Sequence, residues 1–153
     1  MKKFELTSET KINIFGKKLF RIKALVSFGV VKTGETGGWV EKEENVNQSG
    51  DAWVFGNAEV FGNARVSGDA WVFGNAEVFG NADYTTIHGF GTQFRTTTFF
   101  RCKDKQVKVS CGCFYGTIPE FREQVKNTRD GKIAEEYLMI ADLMEKHFAE
   151  EAK

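Results

Sequence analysis

Apolar and small residues recur along the middle of the chain every six positions. Val54, Val60, Val66, Val72 and Val78 share one phase, and Gly56, Gly62, Gly68, Gly74 and Gly80 share a second. Ala52, Ala58, Ala64, Ala70, Ala76 and Ala82 share a third. The unit reads V-[FS]-G-[ND]-A-x. Residues 48–65 read QSGDAWVFGNAEVFGNAR and residues 66–83 read VSGDAWVFGNAEVFGNAD. They differ only at the first and last positions, so the true period is three hexads. A period of six suits neither helical spacing nor hairpin alternation. It suits a triangular coil in which each hexad supplies one short strand and one corner. Valine points inward, alanine packs inside near the corner, and Gly with Asn or Asp supplies the turn. Successive coils then stack as parallel strands about 4.8 Å apart. Residues 48–83 are expected to form two such coils with the five valines inside. Residues 30–47 are expected to form a degenerate first coil, with Val30 on the aliphatic phase and Val40 and Val46 on the small-residue phase.

The flanks follow other periods. Residues 12–31 alternate loosely, through Leu19, Phe20, Ile22, Leu25, Val26 and Phe28, and predict one or two strands with Gly16-Lys17-Lys18 as a turn. Gln93 to Arg101 is rich in Thr and Phe and predicts a strand. Val107, Val109 and Cys111 alternate with Lys108 and Ser110 and predict its hairpin partner, joined by Lys103-Asp104-Lys105. Thr117-Ile118-Pro119-Glu120 has the form of a capping box. The helix it opens presents Ile118, Phe121 and Val125 and breaks at Asp130-Gly131. A second helix presents Ile133, Tyr137, Ile140, Ala141, Met144 and Phe148 at helical spacing.

The hexads resemble the hexapeptide-repeat, left-handed parallel β-helix family, whose motif is an aliphatic residue followed four positions later by a small one. Five Val–Ala pairs match it, and Gln48–Ala52 matches only in its small residue. The resemblance implies a mainly β fold: a short left-handed parallel β-helix over residues 30–91, with strict coils at 48–83. An N-terminal β segment, 1–29, precedes it, and a C-terminal ββαα cap, 92–153, closes its open end. The pieces GGWVEKEENV, GDAWVFGNA and GCFYGTIPEF also look like a group of uncharacterised hexapeptide-repeat proteins of bacteria, their phages and prophages. That group implies no settled activity.

Composition narrows the function classes. The chain has 153 residues, with 21 basic and 21 acidic side chains and a formal net charge of zero. That balance disfavours both a uniformly basic nucleic-acid binder and an acidic nucleic-acid mimic. No apolar run approaches the ~20 residues of a membrane helix, and the start, MKKFELT, lacks the apolar core of a signal peptide. The three cysteines are an odd number and are read as reduced thiols in a cytosol, the host cytosol if a phage encodes the chain. Charge is uneven. Residues 48–83 carry Asp51, Glu59, Asp69, Glu77 and Asp83 against Arg65, while the N-terminal segment is basic through Lys11, Lys17, Lys18, Arg21 and Lys23. The two segments are expected to pack together or to attract separate partners.

Stacking at period 18 puts Trp53 beside Trp71 and Phe55 beside Phe73 on one outward face. Glu59 with Glu77 and Phe61 with Phe79 occupy the next. These eight residues are the candidate partner-binding set. Exposed, the four large rings would form an interface, either with a flanking segment of the same chain or with another molecule. A homo-oligomer, dimer or trimer, is expected on this face or on the Phe61/Phe79 face. The glutamate ladder costs repulsion, which a basic partner or solvation relieves.

Candidate chemistry is sparse. Hexapeptide acyltransferases are trimers with a catalytic histidine between subunits. Here no histidine lies among the hexads, and His88 and His147 lie outside them. Cys102, Cys111, Cys113 and His88 offer four zinc ligands in principle, with Cys102 and Cys111 facing each other across the hairpin. Cys-x-Cys on a strand is nevertheless an uncommon spacing, and the thiols read as partly buried. No catalytic residue, cofactor or metal is assigned. The expected function is a non-enzymatic protein-binding module of phage or prophage origin, with a host or phage protein as partner, and inhibition of a host defence system as its most specific form. An acyltransferase-like enzyme and a small-ligand sponge binding between subunits are the alternatives.

Overall fold

A computed structural model describes residues 2–80, 83–93, 95–111 and 114–149. It opens with an antiparallel hairpin of β1 (Phe4–Ile12) and β2 (Lys18–Ala24), and β2 pairs antiparallel with β3 (Thr36–Val40). The repeat follows as four two-residue strands: β4 (Trp53–Val54), β5 (Glu59–Val60), β6 (Trp71–Val72) and β7 (Glu77–Val78). Next come β8 (Tyr84–Phe90), β9 (Arg95–Arg101), β10 (Val107–Cys111) and β11 (Phe114–Thr117), then helices α1 (Ile118–Thr128) and α2 (Gly131–Phe148).

The strands form three sheets, ordered β1-β2-β3-β5-β7, β4-β6 and β11-β10-β9-β8. The expected mainly β, left-handed parallel β-helix is therefore corrected. The chain is mixed α/β, one sheet is mixed and one wholly antiparallel, and the described residues form no closed coil of strands. The physical reason is length. Two-residue strands bury too little to stand as a separate body. Long antiparallel strands on both sides supply the missing partners.

Within that frame the period of 18 is real. Trp53 pairs with Trp71, Val54 with Val72, Glu59 with Glu77 and Val60 with Val78, all parallel. All five valines are buried, as are Ala52, Ala58, Ala64, Ala70 and Ala76. Ala82 lies outside the described residues. The tier before them keeps a different spacing. Val40 pairs with Val60 and Val46 bridges Val66. Val40 and Val46 thus occupy the aliphatic position rather than the small one, and Val30 is exposed. Two extra residues within 48–50 cause the offset: Asn47 N–H reaches Val66 O, but Asp51 N–H already reaches Gly68 O. Gln48, where the motif failed, turns away from the valine row. Its Oε1 accepts from the Lys3 and Phe4 amides at 2.7 and 3.3 Å.

Two cores result. The repeat valines and alanines pack with Phe4, Ile22, Val40 and Phe100. The second holds Phe99 and Val109 against Phe121, Tyr137, Ile140, Met144 and Phe148. Strand β9 joins them because successive side chains point to opposite faces: Phe99 enters the helical core and Phe100 the repeat core. The predicted capping box opens α1, with Thr117 Oγ1 accepting from Glu120 N–H and Glu120 Oε1 accepting from Thr117 N–H. The far end of the repeat is met by the β9–β10 corner, where Ala76 bridges Cys102 and Lys103 N–H donates to Asn75 O. Among the described residues, no helix is long and apolar enough to cross a membrane.

Candidate functional site

The first aromatic ladder is largely spoken for inside the chain. Trp53 is fully buried, with edge-on contacts from Phe4 and Phe28 at 5.8 and 5.3 Å between ring centres. Phe55 and Phe73 stack at 4.4 Å, and Tyr115 of β11 meets Phe73 at 5.7 Å. Trp71 is half-buried, and its backbone N–H donates to Thr98 Oγ1. The flanking segments therefore cover much of this face. Trp53 itself offers no surface to a second molecule.

The second ladder ends differently. Phe61 is buried with Leu19 and Trp39. Phe79 is 52% exposed. Phe15, from the β1–β2 turn, lies on both, at 5.9 Å from Phe61 and 6.2 Å from Phe79. The turn is held by Asn13, whose Oδ1 accepts from the Phe15 and Lys17 amides at 3.0 Å each. Gly16 at φ +78° closes it, a backbone state that side chains disfavour. With the backbone satisfied this way, Ile14 and Phe15 face water, 85% and 55% exposed, and Ile12 beside them is exposed too. Lys17 and Lys18 follow at once, both exposed. An apolar tip with a cationic rim is thus pinned onto the end of the phenylalanine ladder.

Glu59 does the pinning. It is 1% exposed, yet Lys11 and Lys103 place their ammonium groups at 2.9 and 2.8 Å from Oε2. Asn13 Nδ2 approaches Oε1 at 3.4 Å. Burial pushes the carboxyl up, but hydrogen bonds and charge from Lys103 and Lys11 outweigh it and hold Glu59 below its ordinary value. The expected solvated glutamate ladder is corrected: cations of the same chain neutralise this member. Glu77, one period on, has a raised carboxyl, through burial first and the Glu59 charge second. Its Oε2 is buried with no hydrogen-bond partner among the described residues. The basic N-terminal segment and the acidic repeat do pack together, and Arg21 adds a hydrogen bond to Gly37 O and stacks over Trp39.

The remaining chemical candidates do not converge. Cys111 pairs with Thr97 at one end of the β9–β10 ladder, whereas Cys102 closes the turn at the other through Gln106. The two do not face each other, and Cys113 lies outside the described residues. Among the described residues no group of three or more His, Cys, Asp or Glu could hold a metal ion. Burial, then the Asp104 charge, pushes the Cys102 thiol up to about 12, which leaves it protonated and unreactive at neutral pH. His88 is exposed, with Nδ1 at 2.9 Å from Thr96 Oγ1. His147 packs edge-on to Phe148.

Sequence reasoning named Phe61, Phe79, Glu59 and Glu77 but missed Ile12, Ile14 and Phe15. The available signal was an apolar Ile-Phe pair between Asn13 and Gly16, inside a turn. No protein-family model matches the chain, and no curated protein matches it.

Proposed function

We propose that the chain is a protein-binding module that docks a partner on the Ile14/Phe15/Phe79 tip. The observation that carries this reading is the exposure of Phe15 and Phe79 in mutual contact on a turn fixed by side-chain hydrogen bonds. Large exposed rings cost roughly 25 cal/mol per Å² in water, and rigid aromatic anchors are the usual hot spots of interfaces. Lys17 and Lys18 border the tip, so the partner surface that fits is an apolar pocket with an acidic rim. The likeness of GGWVEKEENV and its companion segments to phage and prophage proteins directs the search to a bacterial cytosol. A host defence protein is the most specific version of the proposal.

The test is a binding comparison with a purified partner first captured from bacterial lysate. Phe15→Ser with Phe79→Ser should leave the melting temperature near wild type and weaken partner binding by at least about thirtyfold, as expected for loss of a hot spot. Unchanged affinity in the folded double variant would remove the tip as the docking site. If sedimentation shows the purified wild type self-associating, and the double variant does not, the partner is a second copy of this chain instead.

A further inference from the structure

On the other ladder a cleft of about 350 Å³ lies between the repeat and the antiparallel sheet, lined by Asp51, Asp69, Trp71, His88, Arg95, Thr96, Thr98 and Ser110. We propose that it binds a small uncharged sugar-class ring, with the ring face on Trp71 and its hydroxyls on Asp51, Asp69 and Ser110.

The site follows from two periodicities. The period of 18 places Asp51 and Asp69 in the same position of successive tiers, two residues before the paired Trp53 and Trp71. The period of two puts Thr96, Thr98 and Phe100 on the face of β9 that meets the repeat. Phe100 fills the repeat core. Toward the other end the same face turns polar, with His88 opposite Thr96 and Ser110 opposite Thr98. Apolar packing stops there, and the cleft begins.

Ser110 belongs to that polar end of the sheet face. It is only 3% exposed and lines the cleft. Beside it, Thr98 Oγ1 accepts from Trp71 N–H at 3.3 Å. The Ser110 hydroxyl, both donor and acceptor, can pair with a ligand hydroxyl.

The donor set selects the chemistry. Carboxylates of Asp51 and Asp69 only accept hydrogen bonds, so the ligand must donate. Arg95 only donates, so the ligand must also accept. A hydroxyl group does both. The formal charge of the lining, two carboxylates against one guanidinium, disfavours a phosphate. The half-buried indole of Trp71 suits the apolar C–H face of a sugar ring. The volume falls at the small end of ligand pockets, roughly 300–1,000 Å³, which fits one ring.

Trp71 also supplies the readout, since Trp39 and Trp53 are buried. D-glucose, D-galactose, D-mannose and D-ribose would each be titrated into the wild-type chain, following the Trp71 indole resonance in proton–nitrogen spectra. At least one should shift it saturably in the millimolar range. Asp69→Asn, at an exposed position, and Ser110→Ala should each weaken that binding about tenfold with the melting temperature retained. Three results would overturn the proposal: no saturable shift with any of the four sugars, equal affinity in both folded variants, or a shift with adenosine monophosphate where the sugars give none.

Discussion

Glu59 and Glu77 are one residue of the repeat, one period apart, and they sit in opposite electrostatic states. Glu59 has two lysines and its carboxyl is held down; Glu77 has a buried oxygen with no hydrogen-bond partner among the described residues, and its carboxyl is pushed up. The signs of their pH dependence follow. Glu59 contributes stability that is present above the ordinary carboxyl value of 4.5 and is lost as pH falls through its lower folded value. Glu77 binds its proton more tightly when folded, so it costs stability as pH rises from 4.5 through its higher folded value. Glu77→Gln should therefore raise the unfolding free energy near neutral pH by about 0.5–1 kcal/mol, the size of a like-charge cross-strand pair. The gain should vanish in acid below that value. Urea unfolding at the two pH values checks it, and a loss of stability at neutral pH would show that Glu77 has a cation partner in solution. Nothing in the two identical hexads distinguishes these residues. The lysines that do so come from positions 11 and 103, far away in sequence.

At the scale of elements, β3 docks on the repeat through Gly37 and Gly38. A Cβ on Gly38 would stand 2.6 Å from Ala58 O and 2.7 Å from a Val54 methyl. The first contact is with backbone, so no rotamer change relieves it. Gly38→Ala should cost about 1–3 kcal/mol, as other overpacked sites do, and a melting temperature equal to wild type would contradict the close approach. Periodic elements were legible: the valine row, the capping box and both helices needed only local spacing. The first tier was misphased because two residues inserted at Gln48–Gly50 shift the ladder without breaking its apolar character. Strands β8 and β11 escaped notice for a different reason. Their sequences, YTTIHGF and FYGT, lack a run of alternating apolar residues, and they are strands because β9 and β10 offer them edges.

For the whole molecule, the ends of the chain complete what the repeat starts. The hairpin β1–β2 extends one sheet through β3, while the antiparallel sheet carries the helices and lends Phe100 to the repeat core. This assembly turns the Trp53/Phe55 ladder inward and leaves the Phe61/Phe79 ladder with an exposed end. Spacing alone found both ladders. Which one meets solvent depends on how Phe4, Phe28 and Tyr115 fold back, a long-range choice that periodicity does not encode. Replacing Val66 by Asp should unfold the assembly, costing several kcal/mol, because an unpaired charge would sit at a fully buried point of the repeat core. An intact circular-dichroism spectrum and melting curve would contradict that core.

The docking claim is tested most directly by hydrogen exchange of the chain alone and bound to its captured, purified partner. The account predicts slowed exchange at residues 12–18 and around Phe79, with the Trp53 and Trp71 strands unchanged. Protection confined to β8–β11 or the helices, with the β1–β2 turn exchanging as freely as before, would contradict it.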